Sequence, residues 1–399
     1  MDLKARGCDL ALPLPEAEYR DRRIRLDGLM EQLGLQGLVA LGSHVSYLTG
    51  YPRHGEAVYG QARGGDGVLL TPWSGDHLRE EGWRVFCGEI VQVDALSPWN
   101  RLSPNPDYRG VLRALDGLGR GRIGLAHGFQ VDPILYEALR EHFKPGGVLE
   151  CSEGLWTARL VKSGREREVI KAAFYAVSDS LNEGVKAVEE GVTRGELAGL
   201  IAENLYLHGV DALSGSFSVG SGFNPGALSY PEGEDTALKK GEAIALQVGC
   251  RLYGYAVEAS RSIIVGGEGS PILMEGLNVL YESVEAALQS AAPGRSIGEV
   301  CEAIQRVQPE AWRSRIQGFI HSMGLEAWEP PVSRIETPWI GGGLREGMVI
   351  GLDLSLTPKP GLGVLRLGQG FLILEDGVEN LVTGVISDPP RLRLRRRRA

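Results

Sequence analysis

Two hydrophobic rhythms divide this 399-residue chain near residue 150. Ahead of that point, short apolar runs at 37–41, 67–70, 89–93 and 122–126 read as buried strands. A helical spacing of apolar residues over 16–33 precedes them, and a Pro/Gly-rich loop with a short helix separates the last two runs. Strands alternating with helices predict an α/β layer domain. Beyond residue 150 the pattern lengthens. The spacing over 163–190 predicts one long helix with Ile170, Ala173, Val177 and Leu181 facing inward, followed by a second helix over 194–208. Strand patterns at 243–248, 253–265, 348–352 and 365–374 are interrupted by helices near 271–291 and 297–307. Helices segregated onto one side of a curved mixed sheet make an α+β arrangement. The expected domains are 1–155, 156–385, and a basic tail over 386–399, whose arginines follow Pro389-Pro390 and which reads as disordered.

Charge narrows the partners. The formal net charge is -9, and removing the six arginines of 391–399 would leave the rest near -15. A body that acidic argues against nucleic acid as a partner. Five scattered cysteines (Cys8, Cys87, Cys151, Cys250, Cys301) form no CxxC pair, so neither a disulfide framework nor a cysteine zinc site is indicated. No apolar run approaches the ~18 residues that span a bilayer, and the first residues lack the pattern of a signal peptide. The expectation is a cytoplasmic protein with no membrane partner.

Several stretches, in order and spacing together, resemble the creatinase/aminopeptidase P/methionine aminopeptidase family. They are Val45-Ser46-Tyr47-Leu48-Thr49-Gly50-Tyr51, Arg159-Leu160-Val161-Lys162-Ser163 leading into Glu166 and Glu168, and Gly191-Val192-Thr193-Arg194-Gly195-Glu196. Gly254-Tyr255-Ala256-Val257-Glu258-Ala259-Ser260-Arg261 and Gly347-Met348-Val349 continue the match, which runs from about residue 16 to 385. The resemblance implies a ribonuclease-H-like α/β N-terminal domain and an α+β pita-bread C-terminal domain carrying the site. It also implies a homodimer with the site near the subunit interface.

The family's two-metal site takes two Asp, one His and two Glu, because two cations about 3.5–4 Å apart need several anionic oxygens. The resemblance sets Gln247 at the first Asp, Glu258 at the second, His321 at the His, Asp353 at the first Glu and Gly368 at the last, with Gln369 beside it. The anions at Gln247 and Gly368 are therefore missing. A proton-shuttling His falls at Ser229-Tyr230, and a second His falls at Trp328, next to Glu329. In creatinase-like members the first position is also an amide, as at Gln247, and the His lies in a setting like His321-Ser322-Met323-Gly324.

The expectation is thus a metal-independent, creatinase-like enzyme without a cofactor, hydrolysing a C–N bond or running related acid/base chemistry on a small polar substrate. His321, Glu258 and Asp353 would be catalytic, the carboxylates clamping a cationic group while the His moves protons. Gln247, Arg53, His54, Tyr255, Ser229, Tyr230, Trp328 and Glu329 would contact substrate, with Arg53 suited to a carboxylate and Arg261 structural. Three alternatives stand beside it: an inactive pita-bread binding or assembly protein, a mononuclear hydrolase or lyase holding one divalent ion on Glu258, His321 and Asp353, and an Xaa-Pro-type metallopeptidase.

Overall fold

The computed structural model describes residues 14–52, 56–101, 103, 106–128, 131–214, 217–221, 237–338, 342–359 and 363–385. The chain divides between Arg159 and Leu160 into two compact units. The expected boundary at 155 falls inside a helix, Ser152–Leu160.

The first unit is built on a six-stranded sheet. Its strands are β1 (Gly37–Leu41), β2 (Val58–Ala62), β3 (Gly67–Thr71), β4 (Glu89–Gln92), β5 (Ile123–His127) and β6 (Val148–Glu150), in the spatial order β4-β3-β2-β1-β5-β6. The pairs β1/β5, β3/β4 and β5/β6 are parallel, and β1/β2 and β2/β3 antiparallel. The helix Glu16–Gln32 precedes β1, as its spacing predicts. β2 and β6 are additional to the expected strands. In β2, Gly60 lets the sheet meet Leu115 so closely that a Cβ there would lie 2.6 Å from a leucine methyl. A glycine inside a short run weakens its strand signal.

The second unit carries the site on a nine-stranded antiparallel sheet. Its strands are β7 (Ala212–Leu213), β8 (Ser218–Ser221), β9 (Ala243–Leu252), β10 (Tyr255–Ile264), β11 (Ile316–Ser322), β12 (Glu329–Arg334), β13 (Val349–Leu356), β14 (Leu365–Leu374) and β15 (Gly377–Asn380). The main order is β12-β11-β13-β14-β10-β9-β7, with β15 on β14 and β8 on β9. The helix Gly164–Lys186 packs against β9 and β10, and Pro271–Ser290 against β13 and β14. Three helices begin with reciprocal capping boxes: Ser163 with Glu166, Thr193 with Glu196, and Ser296 with Glu299. Each satisfies two backbone N–H groups at a helix start. Ile170, Ala173, Val177 and Leu181 are fully buried, as the helical spacing requires. β11 and β12 escaped the sequence reading. β12 carries two prolines, which sheets tolerate at an edge, and β12 is the edge strand.

β9, β10, β13 and β14 are buried almost throughout. In such strands a polar side chain must find a partner or lose several kcal/mol of solvation. Gln247, Glu258 and Asp353 are such exceptions, His321 on β11 is another, and their surroundings define the site.

Candidate metal centre

Strand register brings the site together. Along a strand, alternate side chains share one face of the sheet. Glu258 and Ser260 are two apart on β10, and Ser260 pairs with both Gln247 on β9 and Gly368 on β14. Gly368 in turn pairs with Asp353 on β13, and Asp353 pairs with Phe319 on β11, two residues before His321. Arg366 on β14 pairs with Ser355, two along from Asp353. Gln247, Glu258, His321, Asp353 and Arg366 therefore project from the same face, although 119 residues of sequence separate the first from the last.

One ligand atom each from Glu258, His321 and Asp353 lies within 4.8 Å of the other two. His321 is fully buried and Glu258 nearly so, while the Asp353 side chain keeps 19% of its exposure. The His321 ring is fixed at both nitrogens. Nδ1–H donates to the Ser322 carbonyl at 3.1 Å, and Nε2 faces Asp353 Oδ2 at 2.9 Å. Both partners offer acceptor oxygens, which favours a proton on each nitrogen. Burial opposes that charge, but the hydrogen bond and charge of Asp353, aided by Glu258, prevail and raise the His321 pKa above its ordinary value. A cation at Nε2 would take the place of that proton. Gly351 makes the ring's position possible, since a Cβ there would lie 2.4 Å from His321 Cε1.

Trp328 belongs to this cluster more intimately than a pocket wall. Its ring stacks on His321 with centroids 4.3 Å apart and planes 9° from parallel. Its indole N–H donates to Glu258 Oε1 at 2.5 Å. Gln247 also joins the site, through its own partner: Arg366 Nη1 donates to Gln247 Oε1 at 2.6 Å. Asp353 and Glu258 both act electrostatically on that half-buried guanidinium. The sequence reading had those two carboxylates clamping a cationic group of the substrate. The cation beside them is the chain's own arginine. Arg366 went unnoticed because a charged residue at an alternate strand position reads as solvent-facing. A usable signal was there, in an arginine two residues before Gly368 inside an otherwise apolar run.

Two expected substrate contacts are placed elsewhere. Tyr255 points to the other face of β10, and its hydroxyl donates to Glu166 Oε1 at 2.9 Å, tying the sheet to the capped start of the long helix. Glu329 is buried and faces Lys162 at 3.5 Å, with both side chains 1% exposed. Lys162 also donates to Ser322 Oγ at 3.0 Å, so this internal pair braces the strand that carries His321. Arg261 is fully buried and donates to the Ser260 and Gly368 carbonyls at 2.7 and 2.6 Å and to Gln369 Oε1 at 2.8 Å, the structural role expected of it. Arg53, His54, Ser229 and Tyr230 lie outside the described residues.

Residues 168–375 match the family described as metallopeptidase family M24. The chain belongs to this family. Among curated relatives it is 26% identical over 274 residues to the Xaa-Pro aminopeptidase of Escherichia coli, a match covering 62% of this chain and 62% of that protein. It is 22% identical over 296 residues to the Xaa-Pro dipeptidase of Pyrococcus horikoshii, covering 73% of this chain and 80% of the relative. Among solved structures, the prolidase from Pyrococcus furiosus superposes with a TM-score of 0.74 at 19% identity, covering 89% of this chain and 98% of that one. The aminopeptidase PepP of Pseudomonas aeruginosa gives 0.75 at 20% identity, covering 95% and 97%. These structures establish the α/β-plus-pita-bread architecture.

Membership in M24 overturns two expectations, the metal-independent creatinase-like enzyme and the absence of a cofactor. The family is one of metallopeptidases, and the relatives are named as Xaa-Pro peptidases. The physical reason the sequence reading went astray is that it counted missing anions at Gln247 and Gly368 and gave less weight to the donors that remain. Two carboxylates and an imidazole converging within 4.8 Å suit one divalent cation such as Mn2+ or Zn2+. Among the described residues, no helix is long and apolar enough to cross a membrane.

Proposed function

We propose that this protein is a metal-dependent hydrolase of peptide C–N bonds, of the Xaa-Pro peptidase kind, working with one divalent ion held by Glu258, His321 and Asp353. The convergence of those three donors within 4.8 Å carries the reading. The family match supports the reaction class.

The fit extends beyond the donors. His321 Nδ1–H is spent on the Ser322 carbonyl, which leaves Nε2 to serve as the ligand. Trp328 N–H holds Oε1 of Glu258, which would orient the carboxylate toward a bound ion. When bound, the ion supplies Lewis acidity to the scissile carbonyl and to the attacking water. The chain's residues orient it, exclude bulk water through the burial of Glu258 and His321, and leave Asp353 as the partly open edge.

The site departs from a two-ion arrangement on one side. Gln247 is neutral and engaged by Arg366. At Gly368 a Cβ would lie 2.8 Å from the Ser260 backbone nitrogen, with Ser260 Oγ and Asp353 Oδ1 as near, so a carboxylate-bearing residue there would require the strand and side chains to shift. The same departure favours a second reading, an M24 scaffold that binds peptides without turning them over.

Metal analysis of protein purified without chelators, combined with hydrolysis of Xaa-Pro and non-prolyl dipeptides, tests the proposal. The expected result is one tightly held divalent ion per chain, with ion and activity both lost in E258Q and D353N. Peptide binding without turnover in the ion-loaded protein would favour the second reading. A chain that takes up no added Mn2+ or Zn2+ would refute the first.

A further inference from the structure

We infer that Lys162 is a positioning residue of this site: its buried ammonium ties the neighbour of His321 to the neighbour of Trp328 and so keeps the two rings stacked. The inference rests on the metal-hydrolase reading, since the stacked rings belong to the group that would hold the ion.

Three observations lead to it. First, the pairing of β11 with β12 is irregular at the site. His321 lies opposite Val332, but Ser322 lies opposite Glu329, so the ladder skips Pro330 and Pro331. Such irregularities re-aim side chains. This one accompanies the placing of Trp328, the residue just ahead of β12, over the His321 ring. Second, the ladder is a poor guarantor of that register, because a proline has no N–H to donate to it. Third, one side chain grips both sides of the irregularity. Lys162 Nζ donates to Ser322 Oγ at 3.0 Å and faces Glu329 Oε2 at 3.5 Å. Ser322 adjoins His321 in the chain, and Glu329 adjoins Trp328.

The grip is itself well anchored. The Lys162 backbone N–H donates to the Gly347 carbonyl at 2.9 Å, just ahead of β13, and Nζ donates also to the Leu160 carbonyl at 3.3 Å. The Glu329 carboxylate sits beside Gly324, where a Cβ would lie 2.9 Å from either oxygen, and it accepts from the Glu326 N–H at 3.1 Å. A buried ion pair often adds no stability over apolar residues of similar size, and what it can supply is a single conformation. The conformation supplied here is the stack, with its planes 9° from parallel. Through the Trp328 N–H, it extends to the Glu258 carboxylate.

The double variant K162M/E329Q removes the tie without leaving a buried charge unpaired, and two readouts on the full-length chain test the inference. One is nuclear magnetic resonance of metal-free protein carrying isotope-labelled histidine, with H321A assigning the His321 ring signals. The ring current of a stacked indole displaces those signals upfield. In the double variant they are expected to return at least about halfway to the ordinary histidine position. The other is calorimetric titration with Mn2+, in which affinity is expected to fall about tenfold, as for loss of an orienting partner. A brace for the fold alone would lower the melting temperature while the ring signals and the affinity kept their wild-type values, and that result would overturn the inference. S322A, which cuts only the β11 arm, is expected to move the ring signals in the same direction. It replaces the double variant if circular dichroism shows that the latter does not fold. If the wild type takes up no Mn2+, the metal-hydrolase reading fails, and the ring signals alone decide whether Lys162 positions the stack.

Discussion

The two sides of the site are built from the same sheet yet carry opposite electrostatics. On the β10–β11–β13 side, Glu258, His321 and Asp353 converge within 4.8 Å, and each is oriented by another group: Trp328 on Glu258, the Ser322 carbonyl on His321, and His321 on Asp353. On the β9–β14 side, a neutral amide at Gln247 accepts from a guanidinium, and Gly368 presents no side chain. One side gathers anionic and imidazole donors, and the other holds the chain's own guanidinium. A count of missing ligands treats these as one damaged centre. The geometry separates them into an intact half, with three converging donors, and an altered half, where Arg366 meets Gln247.

That contrast can be broken most forcefully on the intact side. H321A removes an ion ligand, and Mn2+ affinity should fall by more than about 100-fold, beyond the 10–100-fold typical of losing an outer-sphere partner. Titration calorimetry measures it. An unchanged affinity would mean that the ion, if any, sits elsewhere.

G351A acts through packing. A Cβ at this position would lie 2.4 Å from His321 Cε1 and from Met323 Cε, so the ring or strand must shift. Overpacking of this sort should cost about 1–3 kcal/mol of stability, read from denaturant unfolding of the second unit's signal, with weaker ion binding alongside. A variant of wild-type stability would show that the close approach is not needed.

W328F keeps an aromatic ring over His321 and deletes the N–H that holds Glu258 Oε1. Ion affinity should drop about tenfold, as for loss of an orienting partner. No change would reduce Trp328 to a wall.

The altered side should respond least. Q247E turns the amide acceptor of Arg366 into a carboxylate of the same shape, converting a neutral acceptor to a charge-assisted one. Stability should rise by about 1 kcal/mol or less, and the ion count should remain one, because the Gly368 flank stays closed. A second ion appearing in Q247E, seen by native mass spectrometry, would mean that charge at 247 alone sets the count.

How much of this was legible in the sequence follows from the same contrast. Glu258, His321 and Asp353 each sit in a local pattern that survives by itself, such as Gly-Tyr ahead of Glu258 and Gly-Met-Val ahead of Asp353. The long helices were readable from their 3.6-residue spacing, and β14 from the apolar residues that end it, Phe371 to Leu374. β11 was not, because Ile316–Ser322 mixes Gln, Gly, His and Ser into a strand whose polar members serve the site. Arg366 and Gly351 were not either. Their roles depend on cross-strand register, which places Arg366 near Gln247 and Gly351 beneath His321. Tyr255 and Glu329 misled for the complementary reason. Proximity in sequence to site residues says nothing about which face of a strand a side chain takes, and both turn into the interior.

One ion is expected on the intact side of the site and none on the other. Anomalous diffraction from crystals of the full chain grown with Mn2+ tests it most directly. The predicted result is a single anomalous peak among Glu258, His321 and Asp353, with Arg366 still on Gln247. Two peaks, or no peak at those three residues, would contradict it.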